Sequence, residues 1–170
     1  MTSMPNNSAF IDSNNVRLGI KKALGWNLDW KRLRIHLKDS YGVSCAYIFI
    51  GRLPENERLY TNLQKWGYVI VFKEVTYEPG GKPKGNVDAE LVLQAMIDYN
   101  EYEKAVIVTG DGDFTCLVRY IVEKGKLERV LAPNRPKCSA LLKRAAKAKI
   151  DFLEDARGKL EYKKGTPGVP

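Results

Sequence analysis

The sequence predicts an α/β protein, a three-layer αβα sandwich around a mostly parallel sheet of five or six strands. Short apolar segments rich in β-branched and aromatic residues alternate along the chain with helical patterns of about ten or more residues. This alternation is typical of right-handed βαβ crossovers on a sheet that helices cover on both faces. The length of 170 residues suits one domain with a complete hydrophobic core.

The first half of the chain contains the patterns of three strands and two helices. The strands are predicted over residues 8–12, 43–51 and 68–75. The first helix lies between the first two strands, with Asn27 as its candidate N-cap. Its apolar stripe at helical spacing consists of Trp26, Trp30, Leu33 and Leu37. The second helix has Pro54 in its first turn and ends at Gly67.

The segment TYEPGGKPKG, residues 76–85, interrupts the alternation. Its two prolines, three glycines and two lysines predict a flexible basic loop. A helix follows this loop, with Asn86 as candidate N-cap. The apolar face of that helix is predicted to carry Val92, Met96 and Tyr99.

The rest of the chain continues with three further strands and two further helices. The strands are predicted over residues 104–109, 127–133 and, as a short last one, 150–154. One helix ends at Gly125, and the last helix is apolar at Leu141, Leu142, Ala145 and Ala148. We expect one domain over residues 8–155, a flexible N-terminus over 1–7 and a loose C-terminal tail over 156–170.

Composition excludes several classes of protein. The chain has no apolar run near the ~18–20 residues that span a bilayer, and its N-terminal residues lack the pattern of a signal peptide. Its three cysteines are widely spaced and it has one histidine, which makes a poor zinc site and a poor disulfide framework. This cysteine usage favours small buried thiols in a reducing cytoplasm.

The net charge of +8 is concentrated in two segments. Residues 17–38 contain Arg17, Lys21, Lys22, Lys31, Arg32, Arg34 and Lys38 against the single acid Asp29. Residues 137–149 contain Lys137, Lys143, Arg144, Lys147 and Lys149 and no acid. Such patches attract polyanions because binding releases counterions, although a solvated surface is an equally good explanation of either patch alone.

Acidic residues follow two of the predicted strands. Asp12 ends the first strand, and Asp111 and Asp113 follow the fourth. If these strands are neighbours, the three carboxylates converge at the carboxyl edge of the sheet, where parallel α/β proteins bind ligands. Asp88, in the first turn of a helix, could face the same edge. Clustered carboxylates repel one another, and a bound Mg²⁺ or Mn²⁺ would remove that repulsion and favour phosphate chemistry.

Each acid also has a purely structural explanation. Asp113 could cap the following helix, Asp88 could favour the N-terminal end of a helix dipole, and Asp12 could cap a turn with Ser13. Asn14 and Asn15 follow at the same edge, where they could orient water or a phosphate or shape the turn. Gly110 and Gly112 would leave room for backbone turns and for a phosphate to come near.

Three motifs together resemble the NYN domain family, a branch of the PIN-like nucleases. They are FIDSNNV at 10–16, KGNVDAEL at 84–91 and VIVTGDGDF at 106–114, in the order and spacing of that family. The resemblance covers residues 8–153 and implies a Rossmann-like PIN fold and metal-dependent cleavage of RNA. It places Asp12, Asp88, Asp111 and Asp113 in the metal site, with Asn15 close by, and Lys84 and Gly85 in the loop that leads to Asp88. The sequence departs from the family pattern at Gly112, where many members have Ser, and at Gln94, where many have an acid.

These observations lead to two hypotheses. In the first, the protein is a metal-dependent endoribonuclease, and Asp12, Asp88, Asp111 and Asp113, together with Asn15, form a catalytic site for Mg²⁺ or Mn²⁺. The residues that would hold the RNA backbone are Arg17, Lys21, Lys22, Lys84 and Arg119. Tyr77 could stack on unpaired bases; Trp26 could also, although burial in the core is the better explanation of Trp26.

In the second hypothesis, the same basic faces bind RNA without cleaving it. In both hypotheses, the partner is single-stranded or structured RNA and no membrane is involved. Formation of a homodimer is a further possibility. A calcium-binding EF-hand loop and a P-loop lack their required residues. A sugar transferase with a DxD metal site stays open, although the chain is short for it.

Overall fold

The computed structural model describes residues 3–84 and 86–164. Its main sheet has six strands in the order β3-β2-β1-β6-β7-β8, and every neighbouring pair is parallel. The strands are β1 (Asn7–Asp12), β2 (Val43–Arg52), β3 (Tyr68–Glu74), β4 (Thr76–Tyr77), β5 (Pro83–Lys84), β6 (Ala105–Val108), β7 (Leu127–Ala132) and β8 (Ile150–Phe152). The predicted strands, their parallel arrangement and the α/β class are confirmed.

Helices cover both faces of the sheet, which confirms the predicted three layers. They are α1 (Ser13–Leu24), α2 (Trp30–Tyr41), α3 (Glu57–Lys65), α4 (Asp88–Ile97), α5 (Thr115–Glu123), α6 (Ala140–Ala146) and α7 (Arg157–Leu160). One hydrophobic core packs α1, α2, α3 and α7 against one face, and a second packs α4, α5 and α6 against the other. Within β1, Ile11 contributes to the first core and Phe10 to the second, because successive side chains of a strand point to opposite faces.

Helix α1 was not predicted as a separate element. It begins directly after Asp12, whose side chain caps it by accepting a hydrogen bond from the Asn15 N–H, and it ends at Gly25 in the left-handed conformation. Half of its 12 residues are Ser, Asn, Arg or Lys, and only Ser13, Val16 and Ile20 are buried. So narrow an apolar stripe gives a weak periodic signal.

The predicted N-cap of the next helix was wrong. Helix α2 begins at Trp30, and its N-cap is Asp29, which accepts a hydrogen bond from the Arg32 N–H at 3.1 Å. Asn27 lies outside the helix, and its carbonyl accepts a hydrogen bond from the Tyr162 N–H at 2.8 Å.

The segment predicted as a loop over 76–85 contains a short antiparallel ribbon. Thr76 pairs with Lys84 and Tyr77 with Pro83. Gly80 and Gly81 both have positive φ, which lets the chain reverse direction between the two strands. Gly85 lies outside the described residues.

Two predicted apolar faces are only partly correct. In α4 the fully buried residues are Leu91 and Ala95, whereas Met96 is exposed. In α6 the buried residues are Leu142 and Ala146, whereas Leu141 is 54% exposed, and Ala148, also exposed, lies beyond the helix. Both helices are short, so a shift of one position moves a residue from the core to solvent.

Order extends beyond the predicted domain boundaries. The predicted loose tail begins with α7, whose Leu160 is fully buried and accepts a hydrogen bond from the Asp29 N–H at 2.8 Å. At the other end, β1 begins at Asn7, and the Asn6 side chain donates to the Glu101 carbonyl at 2.9 Å. Residues 1–2 and 165–170, at the ends of the two predicted flexible segments, lie outside the described part of the chain.

Within residues 3–84 and 86–164, no helix is both long enough and apolar enough to cross a bilayer.

Candidate metal centre

The candidate site lies where the strand order of the sheet reverses. From β1 the chain crosses first to β2 on one side and later returns to β6 on the other, so β1 and β6 are the central neighbours. Ile11 is paired with Val108 in parallel register. The residues that follow these two positions, Asp12 and Thr109, therefore meet at the carboxyl edge of the sheet, the usual ligand position in such folds.

Three carboxylates converge at this edge. Asp12, Asp88 and Asp111 each offer a carboxylate oxygen, and these oxygens all lie within 4.8 Å of one another. A hard cation with oxygen ligands at about 2.0–2.6 Å holds them about 3–5 Å apart. The three residues therefore fit a divalent cation with oxygen ligands.

Asp12 is the most buried member of the group, with 5% of its surface exposed. Its pKa is raised to about 6, mainly by burial and also by the neighbouring charges of Asp88 and Asp111, while hydrogen bonds from Asn15 and Thr109 act in the opposite direction. A carboxyl group with such a pKa exchanges its proton for a cation readily near neutral pH.

Hydrogen bonds lock the β6 loop onto the start of α1. The Thr109 hydroxyl donates to Asp12 Oδ2 at 3.3 Å and accepts from the Asp111 N–H at 3.1 Å. The Asn15 carbonyl oxygen Oδ1 accepts from the Gly110 N–H at 2.8 Å. These bonds position the carboxylates of Asp12 and Asp111 relative to each other. Asn15 thereby contributes a positioning contact beside the site.

Asp88 reaches the cluster from the first turn of α4. The Asn86 side chain accepts a hydrogen bond from the Asp88 N–H at 2.8 Å, while Val87 occupies the N-cap position that was predicted for Asn86. Burial raises the pKa of Asp88, and the charges of Asp111 and Asp113 raise it further.

Asp113, the fourth predicted ligand, lies outside the group of three. Its side chain is exposed, and its charge acts on Asp88. The structural explanation for it was wrong, because no side chain caps α5. Instead Asp111 accepts the Asp113 N–H at 2.9 Å and caps the short 3-10 turn Gly112–Phe114.

Glycine at position 112 has a packing reason in this chain. A Cβ atom there would lie 2.6 Å from the hydroxyl oxygen of Ser139. At Gly110 a Cβ would lie 3.4 Å from Pro133, which is ordinary van der Waals contact. The loop after β6 therefore approaches the segment before α6 closely, and the Ser139 side chain occupies the space that a side chain at position 112 would need.

The three carboxylates line a cleft of about 640 Å³. Three lysines from different segments also line it, namely Lys22, Lys84 and Lys137. Lys22 and Lys84 were among the predicted RNA-binding residues. The combination of clustered acids and lysines in one cleft suits a phosphate-containing ligand that shares a cation with the acids.

The part of the cleft that follows β7 was not predicted from the sequence. Asn134 is 2% exposed, and its side chain donates to the Gly19 carbonyl at 2.8 Å and accepts from the Lys137 N–H at 2.9 Å. It thereby ties the loop that carries Lys137 to α1. The available signal was the run PNRPK directly after a predicted strand, since loops after parallel strands form the ligand edge.

The other predicted RNA contacts lie elsewhere. Arg17 lines a separate groove, described below, and not the cleft. Lys21 and Arg119 are exposed but do not line the cleft. Tyr77 is 63% exposed on the ribbon, whereas Trp26 is 3% exposed, in the core as expected.

Fold and site together define an α/β protein with a candidate divalent-metal centre at the switch point of a parallel sheet. The chain belongs to the NYN domain family, whose family model matches residues 8–154. This confirms the resemblance given by the three motifs.

One curated protein and one solved structure are similar to this chain. Over 115 residues the chain is 29% identical to the Low amplitude and bright protein LabA of Synechococcus elongatus (strain ATCC 33912 / PCC 7942 / FACHB-805), a match that covers 62% of this chain and 61% of that protein. The chain thus spans less than two thirds of that relative. The crystal structure of VPA0982 from Vibrio parahaemolyticus RIMD 2210633, a protein of unknown function, superposes with a TM-score of 0.76 at 20% identity, covering 95% of this chain and 99% of that one. That likeness shows the fold alone.

Proposed function

We propose that the protein is a metal-dependent endoribonuclease. The observation that carries the proposal is the convergence of Asp12, Asp88 and Asp111, with oxygens within 4.8 Å of one another, in a cleft that also contains three lysines. A bound Mg²⁺ or Mn²⁺ would supply an activated water nucleophile and offset negative charge on the phosphate. The NYN family assignment supports RNA as the substrate.

In this proposal, residues at different positions in the cleft would have different roles. Asp12, Asp88 and Asp111 would hold the ion, and Asp113 would add negative charge beside Asp88. Asn15 would keep the β6 loop in place through its bond to Gly110. Lys22, Lys84 and Lys137 would bind the RNA backbone on either side of the reacting phosphate, because lysine is a strong point charge for phosphate.

Cleavage of labelled single-stranded RNA tests this proposal. We expect the wild-type protein to cut RNA with Mn²⁺ or Mg²⁺ and to stop when EDTA is added. Asp12→Asn should lose about 100-fold or more of the rate, since even indirect supports of a metal ion cost 10–100-fold. Asp39→Asn, an exposed acid on α2, is the matched control and should keep the wild-type rate. Cutting that persists in Asp12→Asn and in EDTA would come from a contaminant and remove the proposal.

One observation favours a second candidate, an RNA-binding module without turnover. Asp12 and Asp111 both cap helical turns, so each has a structural reason to be present. In that case RNA binding would weaken with salt and would persist in Asp111→Asn, with no metal-dependent cleavage by the wild type. Loss of cleavage in Asp111→Asn would exclude this alternative.

A further inference from the structure

A second groove lies on the other side of the start of α1. It has a volume of about 460 Å³, and its lining includes Asn14, Arg17, Trp30, Leu53, Asn56 and Val75. These residues come from α1, from the start of α2 and from the segments that follow β2 and β3. The groove is therefore built by the carboxyl ends of β2 and β3, as the metal cleft is built by those of β1 and β6.

The groove and the cleft are continuous along the chain. Asn14 lines both of them, and Ser13, which lines the groove, directly follows Asp12. The Ser13 hydroxyl donates to the Phe49 carbonyl of β2 at 2.8 Å, which fixes this junction to the sheet. A ligand that extends from the carboxylates toward β2 would pass Asn14 and enter the groove.

The chemistry of the groove differs from that of the cleft. Its lining is mixed, and its apolar part includes Leu53, Val75 and Trp30, of which Trp30 is 8% exposed. Polar groups occupy its lining as well, among them Asn56, whose side chain makes no capping hydrogen bond at the start of α3. Glu55 lies among them and would repel a phosphate. A mixed lining of apolar, amide and carboxylate groups suits the flat, neutral, hydrogen-bonding shape of a nucleobase.

Arg17 connects this groove to the backbone of a bound strand. Its guanidinium donates to Asn14 Oδ1 at 3.4 Å, and its side chain is exposed. It lines the groove and not the cleft, so it would contact a phosphate other than the one at the carboxylates.

We propose that this groove binds the base of the nucleotide adjacent to the one whose phosphate lies at the carboxylates. The proposal rests on the proposed function for the identity of the ligand as RNA. It assigns base contact to Asn56 and Asn14 and the neighbouring phosphate to Arg17.

Binding of mononucleotides in EDTA tests the groove without any cleavage. The full chain is titrated with the four nucleoside 5′-monophosphates and, separately, with ribose 5-phosphate, and NMR follows the Trp30 indole and the Asn56 side-chain amide. We expect both signals to shift with nucleotides and to stay unchanged with ribose 5-phosphate. Asn56→Ala should weaken binding about 5-fold, the effect of one hydrogen bond of about 1 kcal/mol, and Gln64→Ala on the exposed side of α3 should not.

The variants also separate the base contact from the phosphate contact. Arg17→Ala should weaken binding of nucleotides but leave that of the uncharged nucleosides unchanged, with the exposed Arg58→Ala as its control. Equal shifts with ribose 5-phosphate, or nucleotide shifts confined to the cleft around Lys22 and Lys137, would overturn the proposal. Absence of RNA cleavage together with base binding in the groove would overturn the nuclease function alone.

Discussion

At the scale of single residues, Asp12 combines three roles that are usually separate. It ends a buried strand, caps α1 through the Asn15 N–H and belongs to the carboxylate cluster. Its pKa of about 6 follows mainly from burial, so the ionised form destabilises the folded state unless a cation is bound. A residue that costs stability when it is ionised is typical of a binding site.

The first prediction concerns Asp12 and pH. Because its pKa is about 6 in the folded state and 3.8 in the reference state, the folded protein holds this proton more tightly. The stabilising contribution of the proton is complete below pH ~4 and is lost as pH rises to ~6, a total of about 3 kcal/mol. In EDTA, Asp12→Asn should therefore be more stable than wild type at pH 7 by about 1–3 kcal/mol, with little difference at pH 4.

Urea unfolding at the two pH values measures this difference, with Asp39→Asn as the exposed control. Asparagine retains the N-cap acceptor, so the cap itself should survive the substitution. If Asp12→Asn is less stable than wild type at pH 7 in EDTA, the ionised Asp12 carboxylate does not destabilise the folded state.

At the scale of elements, the loop after β7 and the segment around α7 connect parts of the fold that are distant in sequence. Asn134 ties the loop after β7 to α1, which brings Lys137 to the cleft. Helix α7 returns across the molecule, and Leu28 and Glu161 form an isolated antiparallel bridge. This bridge holds the segment before α2 against a residue more than a hundred positions later in the chain.

The role of α7 can be measured with one pair of leucines. Leu160 is fully buried in the core, whereas Leu141 on α6 is 54% exposed. Leu160→Ala should lower the free energy of unfolding by about 2–4 kcal/mol because it removes buried methyl groups and leaves a cavity. Leu141→Ala should change it by less than about 0.5 kcal/mol. Equal effects in urea unfolding would mean that α7 does not contribute to the core.

At the scale of the whole molecule, the sheet brings together residues that are about one hundred positions apart in sequence. Asp12 and Asp111 meet because β1 and β6 are neighbours, and Asp88 joins them from a helix on the second face. Ion binding would therefore connect three separate parts of the fold, and it should stabilise the folded state as a whole.

Thermal unfolding with and without Mn²⁺ tests this coupling. At about 100 times its dissociation constant, the ion would add about 2.7 kcal/mol, which is about 5–10 °C in Tm for a chain of this size. The increase should be larger at pH 7 than at pH 5, because protonation of Asp12 competes with the ion. Asp12→Asn should lose most of the increase and Asp39→Asn none of it. An equal increase in all three proteins would indicate binding elsewhere.

Much of the fold followed from local patterns, and the errors have local reasons. The strands were predictable because each is a short apolar run bounded by turn residues. Helix α1 was not, since its charged residues hide a stripe of only two buried aliphatic positions, Val16 and Ile20. The ribbon at 76–84 was missed because its pairing depends on the turn at Gly80 and Gly81 and not on apolar periodicity.

The sequence by itself determined the parallel α/β class and the positions of the acids at strand ends, because both depend on periodicity and chain order. Only the tertiary structure decided which acids meet. It brought Asp12, Asp88 and Asp111 together, left Asp113 at the exposed rim and added Asn134 and Lys137. These outcomes depend on strand order and on packing between segments that are distant in sequence, such as those of Gly112 and Ser139. Such packing is set by interatomic distances of a few ångströms, which local sequence patterns do not specify.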